Sequence, residues 1–186
     1  MENILHLTSY PPQRCGIAQY SNKLVDALGQ IAPSQGNFVI AFNGEIPRTD
    51  YGPRVIHQLD KGAPEQYLET VKLIEDYLPK DFFRVAQLQF ENGMYGSHGQ
   101  NIIPLLQGLK ELGIPIVTTP HTVEGYQKDE PDNNERREVL QKVAYLSDRL
   151  LVISPTARKR LMDMYVDPEK IDVMWHGASD LNETKQ

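Results

Sequence analysis

The feature that most constrains this chain is a regular alternation between short apolar runs and longer segments with helical spacing. The runs are rich in β-branched and aromatic residues and predict strands at 4–8, 37–43, 54–59, 84–90, 114–121, 149–154 and 170–177. The intervening segments predict helices at 17–28, 64–78, 102–112, 132–147 and 155–166. The sequence therefore predicts a doubly wound, mainly parallel, Rossmann-like α/β sheet of about seven strands with helices on both faces.

Individual residues indicate where several of these elements begin and end. Pro155 suits the first position of its helix, where no backbone N–H is needed. Either Asp132 or Asn133 is predicted to cap the fourth helix, and Gly113 is predicted to stop the third. The turn-rich piece between the second and third strands predicts a connection without a helix.

Length and charge indicate a single domain and limit its ligands. A chain of 186 residues is long enough for one α/β core, which we expect over 1–178, and the polar residues 179–186 are expected to form a linker or tail. The formal net charge of -6 gives no general reason to bind nucleic acid, although a local basic patch is compatible with it.

The cysteine count and the N-terminus indicate the compartment. A single cysteine, Cys15, excludes an intramolecular disulfide and a cysteine-rich zinc site, and no metal is expected. The start, "MENILHLTSYPP", lacks the basic residues and long apolar segment of a signal peptide, and no later run reaches membrane-spanning length. We therefore expect a cytoplasmic protein, with peripheral contact at the inner membrane surface left open.

Candidate site residues lie just after the apolar runs, because ligands of such sheets bind beyond the carboxyl ends of the strands. Gly16 follows the first strand at a helix start, where backbone N–H groups could receive a phosphate and Arg14 could add charge, or where the chain simply turns. The spacing in "CGIAQY" matches neither the dinucleotide fingerprint nor the P-loop, so it gives no support for a nicotinamide or ATP site.

The loop after the fourth strand, "ENGMYGSHG", combines an acid, a histidine and three glycines. Glu91 could accept hydrogen bonds from sugar hydroxyls or only hold the loop backbone, and His98 could contact a ligand or be an exposed loop residue. His121 ends the "VTTPH" strand beside Thr122, where its ring nitrogens would face the cleft. His176, in "WHG", either faces the same cleft or marks the end of the last strand.

Taken in order, these segments resemble the N-terminal half of the retaining nucleotide-sugar glycosyltransferases of family 4, which have the two-domain GT-B fold. "TSYPPQRCGIAQYSNKLVDAL" is similar to the family's first strand, glycine loop and helix, "QLQFENGMYGSHG" to its "QHEYGIFGG" segment, and "IPIVTTPHTV" to its "PVVTTLHTV". Residues 146–180 are similar to the stretch from "AD.VVV.S" to "KI.VIPHGV.D". Phe90 and Trp175 stand where the family has histidine and proline.

The resemblance implies roles for the candidate residues. His121 would be the catalytic residue that contacts the transferred sugar near the reacting bond, and Gly16 would approach the donor diphosphate. The nucleotide-sugar would be a co-substrate, and no other cofactor is implied. The remaining substrate-binding residues implied are Glu91, Tyr95 and His98 on the acceptor side, with Arg14, Tyr20 and Thr122 on the same rim.

In this family the N-terminal domain mainly holds the acceptor and the C-terminal domain mainly holds the nucleotide-sugar. The resemblance thus implies the acceptor-binding part of a hexosyltransferase of carbohydrate biosynthesis, inactive without a donor-binding domain. An excised domain is favoured over a subunit of a split transferase or a stand-alone relic that binds a sugar, glycan or lipid-linked acceptor. Two other functions stay open: a non-catalytic glycan- or phosphate-binding module, and a hydrolase or isomerase in which Glu91 and His121 reach one substrate atom.

Overall fold

The computed structural model describes residues 3–44, 50–125 and 130–175. Within these ranges the strands form one sheet and are β1 (Asn3–Thr8), β2 (Asn37–Asn43), β3 (Val55–Asp60), β4 (Phe83–Phe90), β5 (Ile116–Pro120), β6 (Arg149–Val152) and β7 (Ile171–Val173). All neighbouring strands are parallel, in the order β3-β2-β1-β4-β5-β6-β7. This confirms the predicted doubly wound sheet, whose order reverses between β1 and β4.

Helices connect most of the strands. In the described ranges they are α1 (Gly16–Ile31), α2 (Glu65–Tyr77), α3 (Ile103–Glu111), α4 (Pro131–Leu146) and α5 (Pro155–Met162). Short 3-10 turns lie at Asn92–Met94, Gln100–Ile102 and Pro168–Lys170. The described part of the connection between β2 and β3, residues 44 and 50–54, contains no helix, as predicted.

The core divides between the two faces of the sheet, as the alternating side chains of β2 show. Val39 and Ala41 pack with Val25 of α1 on one face. Ile40 and Phe42 belong to the larger cluster on the other face, which includes buried residues of α2, α3, α4 and α5. Because each fully buried aliphatic or aromatic side chain contributes about 1.5–3 kcal/mol, these two clusters hold helices on both faces.

Two predicted helix ends are confirmed and two are wrong. Gly113 ends α3 with a φ of 75°, and Pro155 opens α5 after an N-cap serine. The cap of α4 is Glu130, because Pro131 takes the first helical position and Asp132 therefore lies inside the first turn. The last helix, predicted to reach 166, ends at Met162, and Tyr165 then adopts a left-handed backbone with a φ of 62°.

Other predictions fall at the end of the chain. The last strand is shorter than predicted and ends at Val173. His176, the predicted domain boundary at 178 and the predicted linker at 179–186 all lie outside the described residues. No helix in the described ranges is both long and apolar enough to cross a bilayer.

Candidate functional site

The candidate site lies at the carboxyl edge of the three central strands. β1, β4 and β5 are neighbours in the sheet, so the loops that follow them meet at one edge. This edge includes the point where the strand order reverses, which is the usual ligand position in open α/β sheets. The predicted residues Gly16, Glu91 and His121 each lie in or beside one of these loops.

His121 is fixed at this edge by contacts from β4 and α1. Its backbone N–H donates to the Phe90 carbonyl at 2.9 Å, and its Nε2 donates to Gln89 Oε1 at 2.7 Å. The Tyr20 ring lies edge-on to the imidazole, with 5.7 Å between ring centroids. Burial raises the pKa of the Tyr20 phenol, so this neighbour stays uncharged near neutral pH.

Glu91 joins the loop after β4 to the loop after β5. Its Oε1 accepts from the backbone N–H of Asn92 at 3.2 Å and so caps the first 3-10 turn. Its Oε2 accepts from the Thr122 hydroxyl at 2.7 Å. Glu91 and Thr122, both predicted as substrate-binding, are thus hydrogen-bonded to each other and connect the two loops next to His121.

Tyr95 does not lie at the surface where the resemblance would place it. Its side chain is fully buried, its ring stacks on Phe90 with 5.9 Å between centroids, and it meets Phe42 edge to face at 4.5 Å. Its hydroxyl donates to the Gln89 carbonyl. Burial raises the pKa of this phenol strongly. Tyr95 is thus a core residue that supports the backbone of Gln89, the partner of His121.

His98 binds the first turn of α4 instead of an open cleft. Its Nε2 lies 2.6 Å from Asp132 Oδ1, and its Nδ1 lies 3.4 Å from Glu135 Oε2. The side chain is only 21% exposed. The hydrogen bond from His98 is the main cause of a lowered pKa at Asp132, with Arg136 adding to it. His98 therefore ties the loop after β4 to α4.

Gly16 begins α1 at the same edge. The sulfur of the preceding residue, Cys15, accepts from the Ala18 N–H at 3.4 Å and caps the helix. Gly16 is exposed, and a Cβ built on it would have no heavy atom within 4 Å. Arg14 is exposed beside it. This geometry leaves open space beside the start of α1.

A cleft of about 380 Å³ opens beside this edge, toward β2 and β3. Volumes of about 300–1,000 Å³ are usual for small-molecule sites. The cleft is lined by the last two residues of β2 and by residues that follow β1, β2, β3 and β4, namely Phe42 and Asn43, and Ser9, Gln13, Arg14, Cys15, Gly44, Lys61, Gly93 and Met94.

A chain of buried and partly buried hydrogen bonds lies behind the cleft and includes two of its lining residues, Gln13 and Asn43. Gln13 Nε2 donates to the Tyr51 hydroxyl at 3.1 Å, which donates to Asn43 Oδ1 at 2.9 Å. Asn43 Nδ2 donates to Asp60 Oδ1 at 2.8 Å, and Gln66 Nε2 donates to the other oxygen of Asp60 at 3.3 Å. We call these five residues the amide relay. It links the loop after β1 to β2, β3 and the start of α2.

Sequence reasoning missed three parts of the site. Gln89, the amide relay and the cleft residue Lys61 were not predicted, since their partners are distant along the chain. One signal was present for Gln89, because Gln87 and Gln89 alternate with apolar residues in a central strand. In the described part of the chain, no group of three histidine, cysteine or carboxylate side chains is placed to hold a metal ion.

The sheet and its cleft define a Rossmann-like α/β domain of the kind found in GT-B proteins. A model of Glycosyltransferase Family 4 matches residues 78–180, more than half of the chain. The chain belongs to glycosyltransferase family 4.

Solved structures with the same fold are distant in sequence. The lipopolysaccharide outer core galactosyltransferase WaaB in its apo form has a TM-score of 0.61 and 10% identity, with 95% of this chain and 46% of that chain covered. UDP-GlcNAc 2-epimerase from Methanocaldococcus jannaschii has a TM-score of 0.59 and 14% identity, with 93% and 45% covered. The chain thus spans less than half the length of these proteins. No curated protein sequence matches it.

Proposed function

We propose that this chain is the acceptor-binding part of a retaining glycosyltransferase that moves a sugar from a nucleotide-sugar to a hydroxyl group. The donor would be bound mainly by a second domain, supplied by further sequence or by a partner chain. Membership of family 4 supports the reaction type. Both neighbours described above are about twice as long as the matched region, which is consistent with a second domain.

One observation carries this proposal: His121 is held at the carboxyl edge of the central strands by Gln89 and by the Phe90 backbone. An imidazole fixed there can contact a sugar bound at the reversal point of the sheet. In the proposed reaction, the bond from the sugar C1 to the diphosphate oxygen breaks, with its electron pair leaving on the diphosphate. The acceptor oxygen forms the new bond to C1 on the same face, and its proton passes to the departing diphosphate. His121 would orient the transferred sugar and stabilise charge as that bond breaks.

The start of α1 has a matching role in this proposal. Exposed Gly16 lets the donor diphosphate approach the free N–H groups of the first turn, where the helix dipole favours negative charge. The cleft beside it would receive the acceptor. Alone, the chain is expected to bind an acceptor and to show no turnover.

The test compares this chain alone with the same chain joined to the coding sequence that follows residue 186, using a panel of nucleotide-sugars. We expect hydrolysis or transfer only from the longer form, and loss of that activity in His121→Ala. Turnover by the short chain would refute the proposed division of roles. Glycan or phosphate-ligand binding without turnover in either form would favour the non-catalytic binding module.

A further inference from the structure

The charged side chains that line the cleft are both cations. Arg14 follows β1 and Lys61 follows β3, and no aspartate or glutamate is among the described lining residues. This differs from the chain as a whole, which has 25 acidic and 19 basic residues. The cleft is therefore locally positive on a negative protein and favours an anionic ligand.

The neutral polar groups of the cleft already have partners within the protein. Gln13 uses its Nε2 on Tyr51 and its Oε1 on the Gly44 N–H, at 3.3 Å, while Asn43 uses both ends of its amide within the amide relay. The Ser9 hydroxyl accepts from the Cys15 thiol at 3.3 Å. Of the described residues that line the cleft, Arg14 and Lys61 are therefore the ones that can bind an anionic ligand through their charge.

These two cations contrast with other basic residues of the chain. Arg54, Arg136 and Lys110 form ion pairs with carboxylates. Among the described residues, neither Arg14 nor Lys61 has an ion-pair partner. The two therefore keep their capacity for charge-assisted hydrogen bonds with a ligand.

The positions of the two cations also suit one shared ligand group. Both line the same cleft, Arg14 from the loop after β1 and Lys61 from the position directly after β3. The backbone beside Lys61 is held in place, because Asn101 Nδ2 donates to the Lys61 carbonyl at 3.1 Å. Long side chains from both sides can converge on an anion in the cleft.

We propose that the acceptor bound in this cleft carries a phosphate group, which Arg14 and Lys61 recognise. The inference rests on the proposed function, because it names the acceptor class for the same cleft. Phe42 and Met94 supply the apolar part of the lining, against which the body of the acceptor packs. The phosphate belongs either to a soluble phosphorylated sugar or to a phospholipid headgroup.

The test measures binding to the 186-residue chain by calorimetry, with glucose 6-phosphate, inorganic phosphate and glucose as probes. We expect the two phosphorylated probes to bind and glucose to show no measurable binding. Arg14→Gln and Lys61→Gln should each weaken binding about three- to tenfold, and added salt should weaken it further. The control Lys72→Gln, which removes an exposed lysine on α2 outside the cleft, should bind like the unchanged chain.

A sedimentation assay with phosphatidylcholine vesicles, with and without phosphatidylglycerol, separates the two phosphate sources. Binding only to the anionic vesicles, reduced in Arg14→Gln and Lys61→Gln, would identify a lipid headgroup as the source. Equal affinity for glucose and glucose 6-phosphate, unchanged affinity in both variants, or no binding to any phosphate-bearing probe would overturn the proposal. Since no nucleotide-sugar is present, these results are independent of whether the transfer assay succeeds.

Discussion

Replacing Gly99 with alanine tests the backbone conformation of the loop after β4. Gly99 has a φ of 87°, in the left-handed region, where an alanine costs about 1–2 kcal/mol. The new Cβ would lie 2.9 Å from Phe90 Cζ, and Phe90 is fully buried. Crowding of this kind in a packed core adds about 1–3 kcal/mol. Gly99→Ala should therefore lower the free energy of unfolding by about 2–5 kcal/mol, a large part of the stability of a domain.

Equilibrium unfolding in urea measures this change, and Gly93→Ala in the same loop is the matched control. Gly93 has no positive φ, and a Cβ built there would have no heavy atom within 4 Å. The control should stay within about 0.5 kcal/mol of the unchanged chain or gain slightly from reduced freedom of the unfolded state. Equal stability of Gly99→Ala and Gly93→Ala would refute the assigned backbone conformation and the contact with Phe90.

Three further predictions concern the site and the core. In an active longer form, His121→Ala should reduce turnover at least about a hundredfold and lower the free energy of unfolding by about 0.5–1.5 kcal/mol. The control His57→Ala, on the edge strand β3, should leave turnover unchanged. Equal turnover rates of the two variants would show that His121 is not part of the site. Gly16→Val should raise the KM for the nucleotide-sugar, while the control Gly29→Val, near the other end of α1, should not. An unchanged KM for the nucleotide-sugar in Gly16→Val would exclude a phosphate contact at Gly16. Burial lowers the pKa of His6 in the folded chain. Below about pH 6.5 the unfolded chain therefore binds a proton at His6 that the folded chain does not bind. The free energy of unfolding should consequently fall as the pH decreases from about 6.5 toward the lowered pKa. This part of the pH dependence, followed by urea unfolding, should be absent in His6→Gln; identical pH slopes would contradict it.

The sheet could be predicted because its apolar runs are set by local periodicity. Most residues of β2 are buried on both faces of the sheet, which leaves the continuous apolar run "FVIAF" in the sequence. The ends of helices were less predictable, because they depend on distant partners. Asp132 resembles a helix cap in the sequence, yet Pro131 already occupies the first helical position before it. The Asp132 carboxylate instead binds His98, from the loop after β4.

In the candidate site, too, features set by local sequence could be predicted, and features set by distant partners could not. The positions of His121, Gly16 and Glu91 at the carboxyl edge of the sheet could be predicted, because each residue closely follows a predicted strand. Tyr95, which the resemblance places on the acceptor side, is instead buried, because its loop folds back against Phe42 and Phe90. The amide relay joins residues from separate segments, so no pattern of spacing could have indicated it.

The amide relay has a consequence for the thermodynamics and the speed of binding. Fixing a flexible side chain when a ligand binds costs about 0.5–1.5 kcal/mol. Hydrogen bonds to Tyr51 and Asp60 already orient the side chains of Gln13 and Asn43 in the folded chain. The free-energy cost of fixing these two side chains is therefore part of folding and not of ligand binding. We therefore expect a ligand to meet Gln13 and Asn43 already in place, so that its rates of binding and release do not depend on rearrangement of these two side chains.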